Sequence, residues 1–239
     1  MTVALVDLNS DVGEGFGAWP GGPDEDLLAL VTSANVACGF HAGDPSLIRS
    51  TCAIAARNGV AVGAQVSYPD LAGFGRRFLD MAPTELRDAV VYQIGALGAL
   101  ARVEGAVVGY VKPHGALYNA IVRHEQQAEA VAGAVAELGG LPLLGLPGSA
   151  IERACAIAGV EFVVEGFADR AYRDDGTLVP RSEHGALILE PEAAAAQALR
   201  LVETGCRSVC VHSDTPGSVA IMTAVRAAVV GAGHVLTAL

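Results

Sequence analysis

Residues 34–44 read Ala34-Asn35-Val36-Ala37-Cys38-Gly39-Phe40-His41-Ala42-Gly43-Asp44, and Pro45 follows. A short apolar run carries Asn35 and Cys38, then breaks into a glycine-punctuated turn. Glycine lets a chain turn tightly and come close to a ligand. His41 is presented on that turn, Asp44 has the side chain of a helix N-cap, and Pro45 suits the first helical position. The stretch predicts strand, polar loop, helix, with the chemistry on the loop.

The same grammar recurs on both sides. Residues 3–8 are an apolar run leading into Asp7-Leu8-Asn9-Ser10-Asp11, and strand alternation puts Asp7, Asn9 and Asp11 on one face. Gly13 to Ala18 match the dinucleotide pattern GxGxxA, but Pro20, Gly21 and Gly22 prevent a helix from starting there. A flexible loop over a site is the better reading. Helices are expected at 24–33, 45–58, 83–104, 124–138, 149–158, 191–203 and 217–230, with a helical turn at 116–122. Strands are expected at 34–38, 60–64, 107–111, 141–146, 160–165, 208–211 and 235–237. The segment 171–190 is irregular and is expected to cover the site. Repeated strand–loop–helix units imply parallel strands with right-handed crossovers. One α/β domain over residues 1–239 follows, a closed or nearly closed (β/α) barrel, with a doubly wound open sheet as the alternative.

Composition narrows the function classes. The chain has 239 residues, 52% hydrophobic and 17% charged, enough for a sizeable core. Its net charge of −11, with scattered positive residues, argues against nucleic acid or an anionic membrane surface as partner. No apolar run reaches the roughly 20 residues of a membrane span. The start, Met1 to Asp7, lacks the basic region of a signal peptide, so a cytoplasmic protein is expected. The five cysteines, Cys38, Cys52, Cys155, Cys206 and Cys210, are odd in number and sit in apolar surroundings, which predicts free buried thiols.

Catalytic groups of a β/α barrel sit at the C-terminal ends of its strands. Those ends carry Asn9 and Asp11, Asn35 and His41, Gln65, Lys112 and His114, Glu165, Asp169 and Arg170, and His212 and Asp214. His124, His184 and His234 lie at a helix start, in a loop and near the terminus, where solvent exposure is the ordinary explanation. Each rim residue also has a bland reading: Asp44 as a cap, Asp214 as a turn former, Asp169 and Arg170 as a surface ion pair of little energetic worth. Lys112 stands apart. Of fifteen lysines and arginines together it is the only lysine. A compact ammonium can sit beside an oxyanion where a planar guanidinium cannot. The chain has no GxSxG elbow and no GxxxxGK[ST] phosphate loop. General acid–base chemistry on a small polar substrate suits the set, and Asp11, His41 and His114 are candidate ligands for a divalent metal.

Five separated motifs, DLNSDVGEGFG (7–17), SANVACGFHAGD (33–44), KPHGALYN (112–119), FADRAY (167–172) and LVPRS (178–182), resemble the LamB/YcsF family over nearly the whole chain. The resemblance implies a distorted seven-stranded barrel of the glycoside hydrolase/deacetylase type. It also implies a part in ATP-dependent 5-oxoprolinase, cleaving the lactam 5-oxo-L-proline to L-glutamate together with separate B and C subunits, with ATP engaged through the complex. By motif it falls on Asp11, Glu14, His41, Asp44, Lys112, His114, Asp169, Arg170 and Arg181. We take Asp11, His41, Lys112, His114 and Asp169 as catalytic candidates. Asn9, Glu14, Asn35, Gln65, Arg170, Arg181 and His212 are substrate-binding candidates. The chain departs from the family pattern at Gln65-Val66, where His-Pro is common, and at Ser213, where glycine is common. Two alternatives stay open: a metal-dependent deacetylase acting on an N-acetyl sugar or other amide, and a non-catalytic regulatory subunit that keeps the pocket.

Overall fold

The computed structural model describes residues 3–239. Its order is β1 (Leu5–Val12), α1 (Asp24–Leu28), β2 (Ser33–Ala37), α2 (Pro45–Asn58), β3 (Ala61–Val66), α3 (Pro83–Val103), β4 (Val108–Pro113), α4 (Gly115–Ala120), α5 (Glu125–Glu137), β5 (Leu143–Gly145), α6 (Ala150–Ala158), β6 (Phe162–Phe167), α7 (Pro191–Glu203), β7 (Ser208–Cys210), α8 (Ser218–Gly231) and β8 (Val235–Leu236). Strands β1 to β7 pair in parallel, and β1 bonds to both β2 and β7, so seven strands close into a barrel. Strand β8 lies outside the ring against the start of β1, pairing Leu5 with Val235. The closed ring excludes the open doubly wound sheet.

The apolar faces of strands and helices meet in one layer around the ring. Val6, Leu8, Val36, Val62, Val111, Leu143 and Val209 come from the strands, and Leu27, Ile48, Leu86, Leu97, Val131, Ile151 and Ile221 from the helices. Inside the barrel the alternation reverses to polar groups. Asp7 accepts from Thr32, Ser33 and Ser208 hydroxyls. One step up, Asn9 accepts from Asn35 Nδ2 (2.7 Å) and donates to Ser208 Oγ (2.7 Å) and Glu165 Oε1 (3.1 Å). Tyr110 donates to Asn35 Oδ1 (2.7 Å), so each amide is satisfied at both ends. All five thiols are free and buried.

The structure shifts several expected boundaries for physical reasons. Helix α1 stops at Leu28, well short of Ser33, because Thr32 and Ser33 are needed at Asp7 and Ser33 pairs with Asn9 of β1. Strands β4 and β6 run on to Pro113 and Phe167, because Pro113 still pairs with Val66 of β3 and Phe167 with Cys210 of β7. Asp44 caps α2, accepting from Ser46 and Leu47 N–H groups at 2.9 and 3.0 Å. The 13–22 loop is tied down: Gly43 N–H reaches Gly15 O (2.8 Å) and Gly17 N–H reaches Asp44 (3.0 Å). His234, expected at the surface, is buried, and its Nδ1 accepts from the Ala4 N–H at 3.2 Å.

Asp24 anchors the start of that loop by accepting from the Gly13 N–H at 2.8 Å, while its other oxygen is buried without a partner. Burial pushes its carboxyl up to about 6, only partly offset by the Gly13 hydrogen bond. A carboxyl whose folded value exceeds its unfolded value binds more protons in the native state, so stability falls as pH rises from about 4 to 6. Asp24→Asn is expected to flatten that part of the curve and to gain on the order of 1 kcal/mol at pH 7. Urea titrations of both proteins at pH 4.5 and 7 measure it; an equal slope in the two would refute it.

Candidate active site

The strand C-termini open into a cavity of about 690 Å³. Asp11, Lys112, His114 and His212 reach it directly, with Tyr118, Phe167 and Arg170 beside them. The segment 171–190 covers it, contributing Arg173, Thr177, Leu178, Pro180 and Arg181.

Lys112 holds the floor. Register pairs it with Gln65 across β3 and β4, and its chain is almost wholly buried. Its Nζ lies 2.9 Å from Glu165 Oε1, 3.2 Å from Asp11 Oδ1, 3.2 Å from Asn9 Oδ1 and 3.0 Å from Cys210 Sγ. Burial alone would lower its pKa, but Asp11 and then the other neighbours hold it well above the ordinary lysine value. Asp11 responds in kind: burial opposes its ionisation, but Lys112, His212 and His114 keep its carboxyl below the usual range. Burial pushes Glu165 up despite Lys112. The ammonium thus sits among four protein acceptors, hydrogen-bonded to Asn9 Oδ1 and Cys210 Sγ and ion-paired with Asp11 and Glu165.

One wall carries two imidazoles. His41, at the turn after β2, and His114, at the end of β4, stack with centroids 4.0 Å apart and planes at 15°. His114 Nε2 donates to Phe74 O (3.0 Å), a carbonyl offered from a left-handed residue (φ 54°). That bond leaves His114 Nδ1 unprotonated, an acceptor 3.0 Å from Gln65 Nε2. Burial, reinforced by His41, holds the His114 pKa well below the usual value. Gly75, at φ 65°, closes over both rings: a Cβ there would meet Ser67 Oγ and come within 2.9 Å of His41 Cβ. Glu14 Oε1 lies 3.4 Å from His114 Nδ1 and 3.8 Å from His41 Nε2. These three residues bring ligand atoms within 4.8 Å of one another, all buried, a donor set that fits a divalent metal. Two members of the expected Asp11–His41–His114 group recur in this set, with Glu14 as the carboxylate; Asp11 lies beside it, 3.2 Å from Lys112 Nζ and 4.0 Å from His114 Nδ1.

The opposite wall holds a carboxylate–imidazole pair. His212 Nδ1 lies 3.0 Å from both oxygens of Asp169, which also accepts from Thr215 Oγ1 (2.5 Å) and the His212 N–H (3.2 Å). The imidazole stacks on Phe167, centroids 5.1 Å apart, and faces the cavity. Burial of Asp169 is outweighed by His212 and Thr215, which keep its carboxyl below the usual value.

The expected residues therefore divide by depth. Asp11, Lys112, His114, Arg170, Arg181 and His212 line the cavity; His41, Glu14, Gln65 and Asp169 stand one layer behind, and Asn9 and Asn35 deeper in the barrel. Arg170 is no surface ion-pair partner: it is buried and donates to Val179 O (2.6 Å) and Ala186 O (3.3 Å), tying down the covering segment. Arg181 shares Asp214 with Arg76, at 3.1 and 2.5 Å. Sequence reasoning did not single out Arg76, Phe74, Tyr118 and Thr215; Tyr118 lies within the KPHGALYN motif, and the other three carry no local signal beyond lying in loops that follow strands.

A sequence profile of the LamB/YcsF family matches residues 6–239. The chain belongs to the LamB/YcsF family. Among curated LamB/YcsF relatives, the A component of 5-oxoprolinase from Mycobacterium avium is 56% identical over 238 residues, 94% of each chain. The protein of the same name from Kocuria rhizophila is 54% identical over 245 residues, 97% of each chain. The crystal structure of the lactam utilization protein from Thermus thermophilus superposes with a TM-score of 0.92 at 43% identity, covering 98% of this chain and all of that one. A family 4 carbohydrate esterase from Streptomyces lividans (TM-score 0.51, 14% identity, 98% and 91% covered) shares the barrel fold.

Proposed function

We propose that this LamB/YcsF chain is the A component of an ATP-dependent 5-oxoprolinase, a cytoplasmic hydrolase that opens 5-oxo-L-proline to L-glutamate together with B and C subunits. The observation that carries the reading is identity of 51–56% over 94–98% of the chain to proteins bearing that component's name. The chemistry of the cavity supports it. Hydrolysis adds water to the ring carbonyl carbon, breaks the C–N bond and delivers a proton to nitrogen, leaving a carboxylate and an amine. In this reading His212, oriented by Asp169, takes the proton from the attacking water at Nε2 and returns it to the departing nitrogen. Arg76 and Arg181 at the rim receive the substrate carboxylate. A lactam is a poor electrophile, so phosphoryl transfer from ATP to its oxygen, with release of ADP, supplies the activation; addition of water and C–N cleavage then leave an acyl phosphate, which a second water hydrolyses to the carboxylate and inorganic phosphate. With no GxxxxGK[ST] loop in this sequence, the phosphoryl transfer falls to the complex. Glu14, His41 and His114 would hold a divalent metal, which when bound polarises a carbonyl or lowers the pKa of water.

The test is glutamate release from 5-oxoproline with ATP, by the chain alone and reconstituted with B and C. Negligible release alone and robust release by the complex is the expected result. Equal turnover by the isolated chain, or none by the complex, would overturn the reading. Acetate release from an N-acetyl sugar by the isolated chain with Mn²⁺ would favour the deacetylase alternative, for which the buried Glu14–His41–His114 donor set speaks.

A further inference from the structure

Gln65 closes a ring with the three metal-capable residues. Its side chain is fully buried on β3. Nε2 lies 2.8 Å from Glu14 Oε1 and 3.0 Å from His114 Nδ1, and Oε1 lies 3.2 Å from His41 Nε2. A carboxamide has two N–H donors and one carbonyl acceptor. Both donors here are spent on the lone pairs a cation would coordinate. The orientation is decided by chemistry: His114 Nε2 gives its proton to Phe74 O, so Nδ1 needs a donor, and the Glu14 carboxylate needs one too. Reversing the amide would set three acceptors against one another. Gln65 Oε1 in turn requires the proton on His41 Nε2, which leaves that nitrogen no lone pair to offer. His41 Nδ1, the other nitrogen, is buried with no partner to stabilise a transferred proton.

We infer that Gln65 governs cation entry at this cluster: its carboxamide occupies the ground a divalent ion would take, and the ion binds only by turning or expelling it. A cation entering must displace the two hydrogen bonds that the Gln65 amide donates to its ligands Glu14 and His114, and move the His41 proton. Each hydrogen bond to a charged or buried partner is worth enough that losing two lowers apparent affinity by about 10-fold or more. A turned amide would present Oε1 as a fourth ligand, so the group is a gate and not a permanent block. The inference rests on the donor geometry alone and is independent of which amide the enzyme cleaves.

Isothermal titration of the metal-free full chain with Mn²⁺ and with Zn²⁺ tests it, with no assay of turnover. Gln65→Ala is expected to bind one ion per chain at least about 10-fold tighter than the wild type. Adding His114→Ala to that variant should erase the gain, which assigns the ion to this cluster. Circular dichroism and melting confirm folding; Gln65→Thr, which keeps bulk at the strand but removes the amide, serves if the alanine variant does not fold. Equal affinities in wild type and variants would overturn the inference. Sub-micromolar binding by the wild type that is lost on substitution would overturn it as well, by making Gln65 an obligatory ligand.

Discussion

Asp169→Asn is expected to lower turnover of the enzyme reconstituted with its proposed partner subunits by roughly 1,000- to 10,000-fold while leaving the fold intact. The two oxygens of Asp169 do different work. Oδ2 takes the Thr215 hydroxyl and the His212 backbone N–H, which hold the turn after β7; both oxygens receive the imidazole Nδ1. Asparagine can keep an acceptor for the first two and place its amide against Nδ1. That amide is a donor, so Nδ1 must accept and the ring proton moves to Nε2, the nitrogen facing the cavity. A base whose free lone pair has been turned into an N–H cannot take a proton from water. The substituted residue is fully buried and only one atom differs, so packing changes little. The measurement is kcat and KM of the complex across pH, with melting as a control. A drop confined to kcat is expected; near-normal turnover in a folded variant would remove the dyad from the reaction.

Lys112→Met destabilises the chain by about 3–5 kcal/mol at pH 7, the range for breaking a buried pair from one side. Methionine matches the stem but leaves Asp11 and Glu165 facing each other without a cation in the barrel interior. Asn9 Oδ1 and Cys210 Sγ lose a donor with it. Denaturant titration measures the loss, and adding Glu165→Gln should recover part of it by removing one of the two carboxylates. The pH dependence gives an independent check. In the wild type, Lys112 and neighbouring histidines hold the Asp11 carboxyl below its unfolded value, so this stabilisation is present at neutral pH and lost as pH falls through the folded value. In the variant the uncompensated carboxylates gain from protonation, so the gap between the two proteins narrows from pH 7 towards 4. A constant gap, or a loss below about 1 kcal/mol, would show that Lys112 carries no buried charge balance.

The barrel was legible in the sequence because strand, polar loop and helix recur, and because Asp44-Pro45 and Asn58-Gly59 mark both ends of α2, which runs from Pro45 to Asn58 as expected. Period-two alternation placed Asp7, Asn9 and Asp11 on one face, and all three point into the ring. Chain order along the rim also brought Lys112, His114 and His212 to one cavity. Local signals of this kind come from backbone sterics and from the side-chain period, which a few neighbouring residues determine. The pairings were a different matter. Whether Asp11 faces a histidine or the lysine depends on the rotation of β1 relative to β4, and closure of the ring gave it to Lys112. Glu14 reaches His114 because the 13–22 loop folds back onto Asp44 and Gly43. Asp169 meets His212 only because β6 and β7 are neighbours, with a separation of 43 residues between the partners. Gln65, which by type is a poor ligand, became the centre of a hydrogen-bonded ring through groups 24, 49 and 51 residues away. Partners at such separations are selected by strand register and barrel closure, which no local stretch of the chain encodes.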